Sequence, residues 1–179
     1  MNLLETLKNK EEEILSIWIE RTLDSYTSSG FFKRAKDQFA NPVGANISQG
    51  LATIFQLILI EAEPQKFAEP LDQVIRIRAV QEFTPAQALA PILELKWVIK
   101  QVFSADKECR ELLAELAAFD CDVDRIALTA FDMFMECRDR LYRARIRELK
   151  SGSYILTDSS CASAAIRENL QEISPQPIR

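Results

Sequence analysis

The sequence predicts an all-α protein, and three observations support this fold class. Apolar residues recur every three or four positions over most of the chain, which places them on one face of an α-helix. The 179 residues contain only four glycines, whereas a β-rich fold needs many tight turns. Asparagine, threonine and proline precede several apolar segments, where helices begin. We therefore expect one helical domain, residues 1–150, followed by a partly irregular tail, residues 151–179.

The first helix is predicted to run from about Asn2 to Tyr26. Its apolar side chains fall roughly on one face, as in a surface helix that packs on a core. The turn-forming residues Thr27–Gly30 end this helix. Residues 31–41 are expected to form a loop.

The second helix is predicted over Pro42–Glu63. Asn41 can cap its free backbone N–H groups, and proline fits the first helical position. Gly44 and Gly50 each cost about 1 kcal/mol relative to alanine within a helix. We interpret both glycines as points where another helix approaches closely. Pro64 is expected to close this helix.

The third and fourth helices are expected to begin at proline residues. Pro70 opens the third, and the run from Thr84 to Gln87 has the pattern of a capping box with proline at the first helical position. This run is the most specific local signal in the chain. The fourth helix is predicted to continue to about Phe103, and Pro91 within it should bend or break it.

The last helix is predicted to be long, from about Asp106 to Lys150. An apolar stripe follows it for about four heptads, which favours pairing with a partner helix over packing wholly within one chain. We expect a homodimer. The candidate dimer residues on this stripe are Val123, Ile126, Phe134 and Leu141.

Composition argues against several functions. The net charge of −5 argues against general nucleic-acid binding, which needs clustered positive charge. The longest apolar run, Leu51–Ile60, has about half the roughly 20 residues that span a bilayer. We expect no stable membrane insertion, and no secretion signal is recognisable. A cytoplasmic location is the expectation.

The chain contains no histidine, so it lacks the commonest general base, the commonest metal ligand and the usual proximal haem ligand. It also shows no glycine-rich phosphate loop and no GxSxG motif. We therefore expect no enzyme activity, no metal and no cofactor. The acidic residues between Glu115 and Asp132 are read as a solvated face. The scattered cysteines are read as small hydrophobes, with Cys161 as the best candidate for a redox-active thiol.

Two arginines precede the capping box. Arg76 and Arg78 are two positions apart, so on a helix they point in different directions. One is expected to face solvent, and the other to reach a carboxylate or the C-terminal carbonyls of a helix within the fold. One interpretation is a structural salt bridge that fixes the corner before Thr84. The other is an anion or partner contact, and Gln87 belongs to the same candidate contact group.

Three segments carry a resemblance to a known family: Ile75–Leu89, Phe39–Gly44 and Ile47–Leu51. With them, the chain from Leu15 to Lys150 resembles the N-terminal domain of RsbR-type co-antagonists, which are regulators of the bacterial general stress response. Such domains also precede some histidine kinases. The resemblance implies a globin-like, haem-free helical domain that dimerises and leads through its last helix into a STAS or kinase output domain.

Residues 151–179 are too few for either output domain, so we expect a stand-alone module that contacts a separate signalling protein. The alternative is a sensor that binds a small apolar, fatty-acid-like ligand in the helical core. Its candidate pocket residues are Phe55, Ile58 and Trp97. A helical enzyme is the third hypothesis and the weakest one.

Overall fold

The computed structural model describes residues 2–26, 30, 41–81 and 83–151, and no β-strand occurs in them. Six α-helices are bounded within these residues: α1 (Leu3–Asn9), α2 (Glu11–Asp24), α3 (Pro42–Leu59), α4 (Ala68–Ala79), α5 (Pro85–Ala105) and α6 (Leu116–Ser151). Two 3₁₀ helices, Pro64–Phe67 and Arg110–Glu115, precede α4 and α6. The predicted all-α fold with a long last helix is confirmed.

The chain divides into two compact units, Met1–Arg138 and Asp139–Arg179, and the division falls within α6. The predicted boundary at residue 150 stays a prediction, because the tail beyond Ser151 lies outside the described residues. The predicted loop at 31–41 lies outside them as well, apart from Asn41, and so does Cys161.

The N-terminal segment forms two helices where the sequence predicted one. Lys10 separates α1 from α2 with a φ of −101° and a ψ of 11°. Hydrogen bonds of 3.0 Å from Lys10 N to Thr6 O and from Ile14 N to Lys10 O continue across this residue. Because the hydrogen bonds continue, the apolar periodicity is almost undisturbed and does not reveal the break. The lysine Nζ lies 3.0 Å from the Asp106 carboxylate.

The start of α3 agrees with the predicted cap. The Asn41 side chain accepts a hydrogen bond of 2.8 Å from Gly44 N. At Gly50 an added Cβ would lie 2.5 Å from Val74 Cγ2, so the predicted close approach of a second helix is confirmed there. At Gly44 it stays a prediction, because the three atoms nearest to an added Cβ all belong to the capping side chain of Asn41.

The end of α3 comes four residues before the predicted one. Glu61 has a φ of 48°, a left-handed conformation that stops the helix. Ala62 N donates to Leu57 O at 2.9 Å, and Glu61 N donates to Ile58 O at 3.0 Å. This is the hydrogen-bond pair of a Schellman motif, which usually has glycine at the left-handed position. The sequence has no glycine here, so it predicts the stop at Pro64.

The core of the first unit draws side chains from every helix. The largest apolar side chains that are fully buried are Leu7, Ile14, Trp18, Ile47, Leu51, Ile54, Phe55, Leu71, Ile75, Phe103 and Phe134. Phe134 comes from α6, which therefore contributes to this core before the division of the chain. These side chains remove a large apolar area from water, which is the main driving force for folding.

The last helix begins at Leu116, ten residues after the predicted start. Asp106 has extended backbone and accepts a hydrogen bond of 3.0 Å from Glu108 N, so the chain turns before the 3₁₀ segment. Two ion pairs then join α5 to α6: Lys96 Nζ lies 2.7 Å from Asp124, and Lys100 Nζ lies 2.6 Å from Asp120. The acidic residues of α6 are therefore partly paired, and the lysines spaced four apart on α5 are the sequence signal for this.

None of the helices in the described part of the chain combines the length and the apolar character that a membrane span needs.

Candidate functional site

The corner between α4 and α5 is built by the capping box. Thr84 Oγ1 accepts a hydrogen bond of 3.3 Å from Gln87 N, and Gln87 Oε1 accepts one of 3.0 Å from Thr84 N. Two of the free N–H groups at the start of α5 are thereby satisfied. The predicted capping box is confirmed, and it fixes where α5 begins relative to the end of α4.

Arg78, near the end of α4, is fully buried behind this corner. Its Nε donates to Ala88 O at 3.1 Å. Its Nη2 donates to Gln87 O at 2.9 Å and to Ser25 Oγ, just after α2, at 3.0 Å. One guanidinium group therefore ties α4 to the first turns of α5 and to the end of α2.

Pro91 explains why the carbonyl of Gln87 in α5 can accept a hydrogen bond from an arginine. In a regular helix the carbonyl of residue 87 accepts from the N–H of residue 91, but proline has no N–H. The Arg78 guanidinium supplies the donor that Gln87 O would otherwise lack. The carbonyl of Pro91 itself accepts a hydrogen bond of 2.6 Å from Trp18 Nε1. The helix α5 continues through Pro91, so the proline does not break it.

The surroundings of Arg78 are aromatic rather than acidic. Its guanidinium carbon lies 4.2 Å from the centre of the Phe83 ring and 5.0 Å from that of Tyr26, distances at which a ring face attracts a cation. Among the described residues, no carboxylate forms an ion pair with it and Nη1 has no hydrogen-bond partner. Burial lowers the pKa of Arg78 from its ordinary value, while the neighbouring Tyr26 and Glu94 act in the opposite direction.

Arg76 points away from Arg78, in line with their spacing. It is exposed, and its Nη2 lies 2.7 Å from the Asp72 carboxylate one turn earlier on α4. The salt bridge considered for the corner therefore belongs to Arg76, on the surface. Arg78 contacts carbonyls of the first turns of α5 instead of a carboxylate.

Sequence reasoning missed the link between the corner and the last helix. Arg138 Nη1 donates to Ala79 O at 3.2 Å, at the end of α4. The last carbonyls of a helix have no intrahelical partners and carry partial negative charge, so a cation is favoured there. Arginines near the end of α6 are favoured by the helix dipole alone, and nothing in their spacing points to α4.

The candidate dimer residues lie in two different environments. Val123, Ile126 and Phe134 are buried in the core of the first unit, so their apolar character is accounted for within their own chain. Leu141, in the second unit, is exposed. The first three are therefore not available to a partner helix in this structure.

A second set of apolar side chains on α6 is exposed, with between 41% and 67% of each surface accessible. In the first unit the set is Leu128, Phe131 and Met135, and in the second unit it is Tyr142, Ile146 and Leu149. At about 100° per residue, each group of three falls within an arc of about 60° on its part of the helix. We call these six residues the outer stripe. In the first unit, this exposed group lies on a different side of α6 from the buried residues Val123, Ile126 and Phe134.

The candidate pocket residues lie in different environments. Phe55 is fully buried in the core, while Trp97 is 46% exposed and lies under the Arg21 guanidinium, 4.2 Å from the ring centre. Ile58 lines a cavity of about 310 Å³ at the end of α3. Within the described residues, no three side chains of the metal-binding types form a group that could hold an ion.

Comparison with known families gives one finding. A family model described as the RsbT co-antagonist protein rsbRD N-terminal domain matches residues 12–149, which is most of the chain. The comparisons with curated proteins and with solved structures give no match. The family predicted from the sequence is confirmed, and the globin-like topology stays an implication of that family.

Proposed function

Because the chain belongs to the family of the RsbT co-antagonist protein rsbRD N-terminal domain, we propose that it is a non-enzymatic module that dimerises through α6 and contacts a separate signalling protein. The family is one of regulatory domains of stress signalling. Dimerisation and the protein contact are the proposed steps.

The outer stripe of α6 is the observation that carries this proposal. Six large apolar side chains face solvent in the single chain, in two groups with the three- and four-residue steps of a helix face. Apolar residues at this spacing are buried when two helices pair. We therefore still propose pairing through α6. The proposed contact surface is the outer stripe, in place of the four residues predicted from the sequence.

Two ion pairs reduce the positive charge that opposes pairing in the second unit. Arg143 Nε lies 2.7 Å from Asp139, and Arg145 Nη1 lies 3.1 Å from Glu148. These carboxylates offset part of the arginine charge next to Tyr142 and Ile146. Repulsion between two copies of this arginine-rich segment is thereby reduced.

The Arg138 contact suggests how a signal is passed on. In the first unit this arginine of α6 holds the carbonyl of Ala79, next to the buried Arg78. A change at the corner would therefore be felt by α6, the helix that the proposal assigns to the dimer. We propose that the partner protein reads the position or the pairing of this helix.

The test compares the oligomeric state of Ile146→Ser with that of Leu141→Ser. Both positions are exposed and apolar in the second unit, but Leu141 lies about 100° around the helix from Tyr142. Fully burying an isoleucine side chain contributes about 1.5–3 kcal/mol. Because Ile146 is 49% exposed in the single chain, pairing gains about half of this at each of two copies, or about 1.5–3 kcal/mol in all. We expect Ile146→Ser to weaken the dimer about 100-fold.

The dissociation constant is measured by analytical ultracentrifugation over a concentration series, with circular dichroism to show that both variants keep their helix content. Leu141→Ser should leave the dimer within about threefold of the original protein, because its position is off the stripe. A monomer at all concentrations, or equal effects of the two variants, would contradict the proposal.

A further inference from the structure

The cavity at the end of α3 lies wholly within the first unit and has a volume of about 310 Å³, the lower end of the range for small-molecule sites. Its apolar lining comes from Leu57, Ile58, Ala62, Pro64, Phe67, Leu71 and Ile126, and its polar lining from Glu61, Asp122, Arg125 and Thr129. One wall belongs to the end of α3, the segment that follows it and the first turn of α4, and the other wall belongs to α6.

The polar groups of this cavity favour a ligand that donates hydrogen bonds and carries positive charge. Arg125 Nη1 lies 3.0 Å from Asp122, so these two residues largely neutralise each other. Glu61 has no ion pair among the described residues, and it leaves the lining with a net negative charge. The Thr129 hydroxyl donates to Arg125 O at 3.1 Å, so its oxygen remains an acceptor.

The backbone at the end of α3 acts in the same direction. A helix C-terminus carries partial negative charge, which stabilises cations placed in its last turn. Leu57 and Ile58, from that turn, line the cavity together with Glu61. Glu61 occupies the left-handed position where glycine is usual, so a carboxylate stands here at some conformational cost.

We propose that this cavity binds a small organic cation: an amine head group held by Glu61 and Thr129, with an apolar body against Ile58, Phe67 and Ile126. The site does not depend on the pairing of α6. It differs from the core pocket predicted from the sequence, because of those candidate residues only Ile58 lines it. The ligand would contact both α3 and α6.

The experiment is a titration of the ¹⁵N-labelled full chain with 4-phenylbutylamine, followed by NMR chemical shifts. A ligand of this size is expected to bind with a dissociation constant of about 1 mM or below. Shifts should concentrate at the amides of 57–62 and 122–129. 4-Phenylbutyrate has the same body with the opposite charge, and butylamine lacks the ring. Both should bind at least about tenfold more weakly, because each lacks one of the two recognition elements.

Two variants and one control test where the ligand binds and whether Glu61 recognises its charge. Thr129→Phe puts a ring into the cavity from an exposed position and should abolish binding, whereas Ala118→Phe, at an exposed position of α6 outside the lining, should not change it. Glu61→Gln should weaken binding of the amine about fivefold.

No binding of the amine, equal binding of the acid, or unchanged binding in Thr129→Phe would each overturn the proposal. The oligomeric state is measured on the same samples by ultracentrifugation. A failure of the ligand proposal is thereby distinguishable from a failure of dimerisation.

Discussion

Replacing Arg78 by methionine should strongly destabilise the fold, and Pro91 should determine how strongly. The substitution removes three hydrogen bonds from a charged donor. It leaves the carbonyl of Gln87 without a donor, because residue 91 has no N–H. A carbonyl left without a partner costs about 1–3 kcal/mol when buried, and this one is partly buried, so its cost lies near the lower end of that range.

The remaining terms partly cancel. The lost contacts with Ala88 O and Ser25 Oγ and with the Phe83 ring destabilise the variant further. Removing a buried cation whose Nη1 has no partner among the described residues recovers part of its desolvation cost. We expect a net loss of about 3 kcal/mol in the free energy of unfolding, because the three lost hydrogen bonds from a charged donor outweigh the recovered desolvation cost.

The specific test is a double-mutant cycle with Pro91→Ala. Alanine restores an N–H that can donate to the Gln87 carbonyl within the helix. In the original protein this carbonyl is already satisfied by Arg78, so the new N–H adds little. In the Arg78→Met background it replaces the lost donor, and the two substitutions should therefore couple by about 1–2 kcal/mol.

The assay is urea unfolding followed by circular dichroism at one fixed protein concentration, because dimerisation would shift the apparent stability. With a slope of about 2 kcal/mol/M, Arg78→Met should lower the midpoint by about 1.5 M. Arg76→Met is the control: its ion pair with Asp72 is exposed, so a loss of at most about 1 kcal/mol and no coupling to Pro91 are expected. Additivity of Arg78→Met and Pro91→Ala within about 0.5 kcal/mol would refute the reasoning.

Two further predictions concern packing and pH. Gly50→Ala should destabilise the protein by about 1–2 kcal/mol despite the better helix propensity of alanine, because the added Cβ lies 2.5 Å from a valine methyl of α4. The control is Gly30→Ala, where an added Cβ meets none of the described residues within 4 Å, and it should be neutral or slightly stabilising in the same urea assay. The hydrogen bond from Lys10 lowers the pKa of Asp106 below its ordinary value of 3.8. The stabilisation from this pair is therefore present above pH 3.8 and is lost as the pH falls through the lowered pKa. Lys10→Met should reduce this acid-side loss in thermal unfolding, and an unchanged pH profile would contradict the assignment.

Local signals in the sequence determined where several helices begin. Thr84 and Gln87 satisfy each other's backbone N–H groups, and Asn41 caps α3, using side chains within three residues of their targets. Such contacts need no tertiary partner, so the residue pattern is sufficient to predict them. The helix period and the family resemblance can likewise be read from the order of the residues alone.

Two helix boundaries depend on a backbone conformation that the residue type does not reveal. Glu61 stops α3 in a left-handed conformation that the residue type does not announce, since glycine is the usual signal. Lys10 interrupts the first helix without disturbing its apolar spacing. At both places the helix is interrupted by the backbone conformation of a residue whose type is common within helices.

Only the tertiary structure decided which apolar face of α6 is buried. The periodicity that selected Val123, Ile126 and Phe134 is the same for a core face and for a dimer face, because both exclude water. Packing in the first unit buries these three and leaves Leu128, Phe131 and Met135 of the outer stripe exposed. The role of Arg78 was undecided for a similar reason: its acceptors, Gln87 O and Ala88 O, are backbone atoms that every sequence has, and only the fold brings them within reach of the guanidinium.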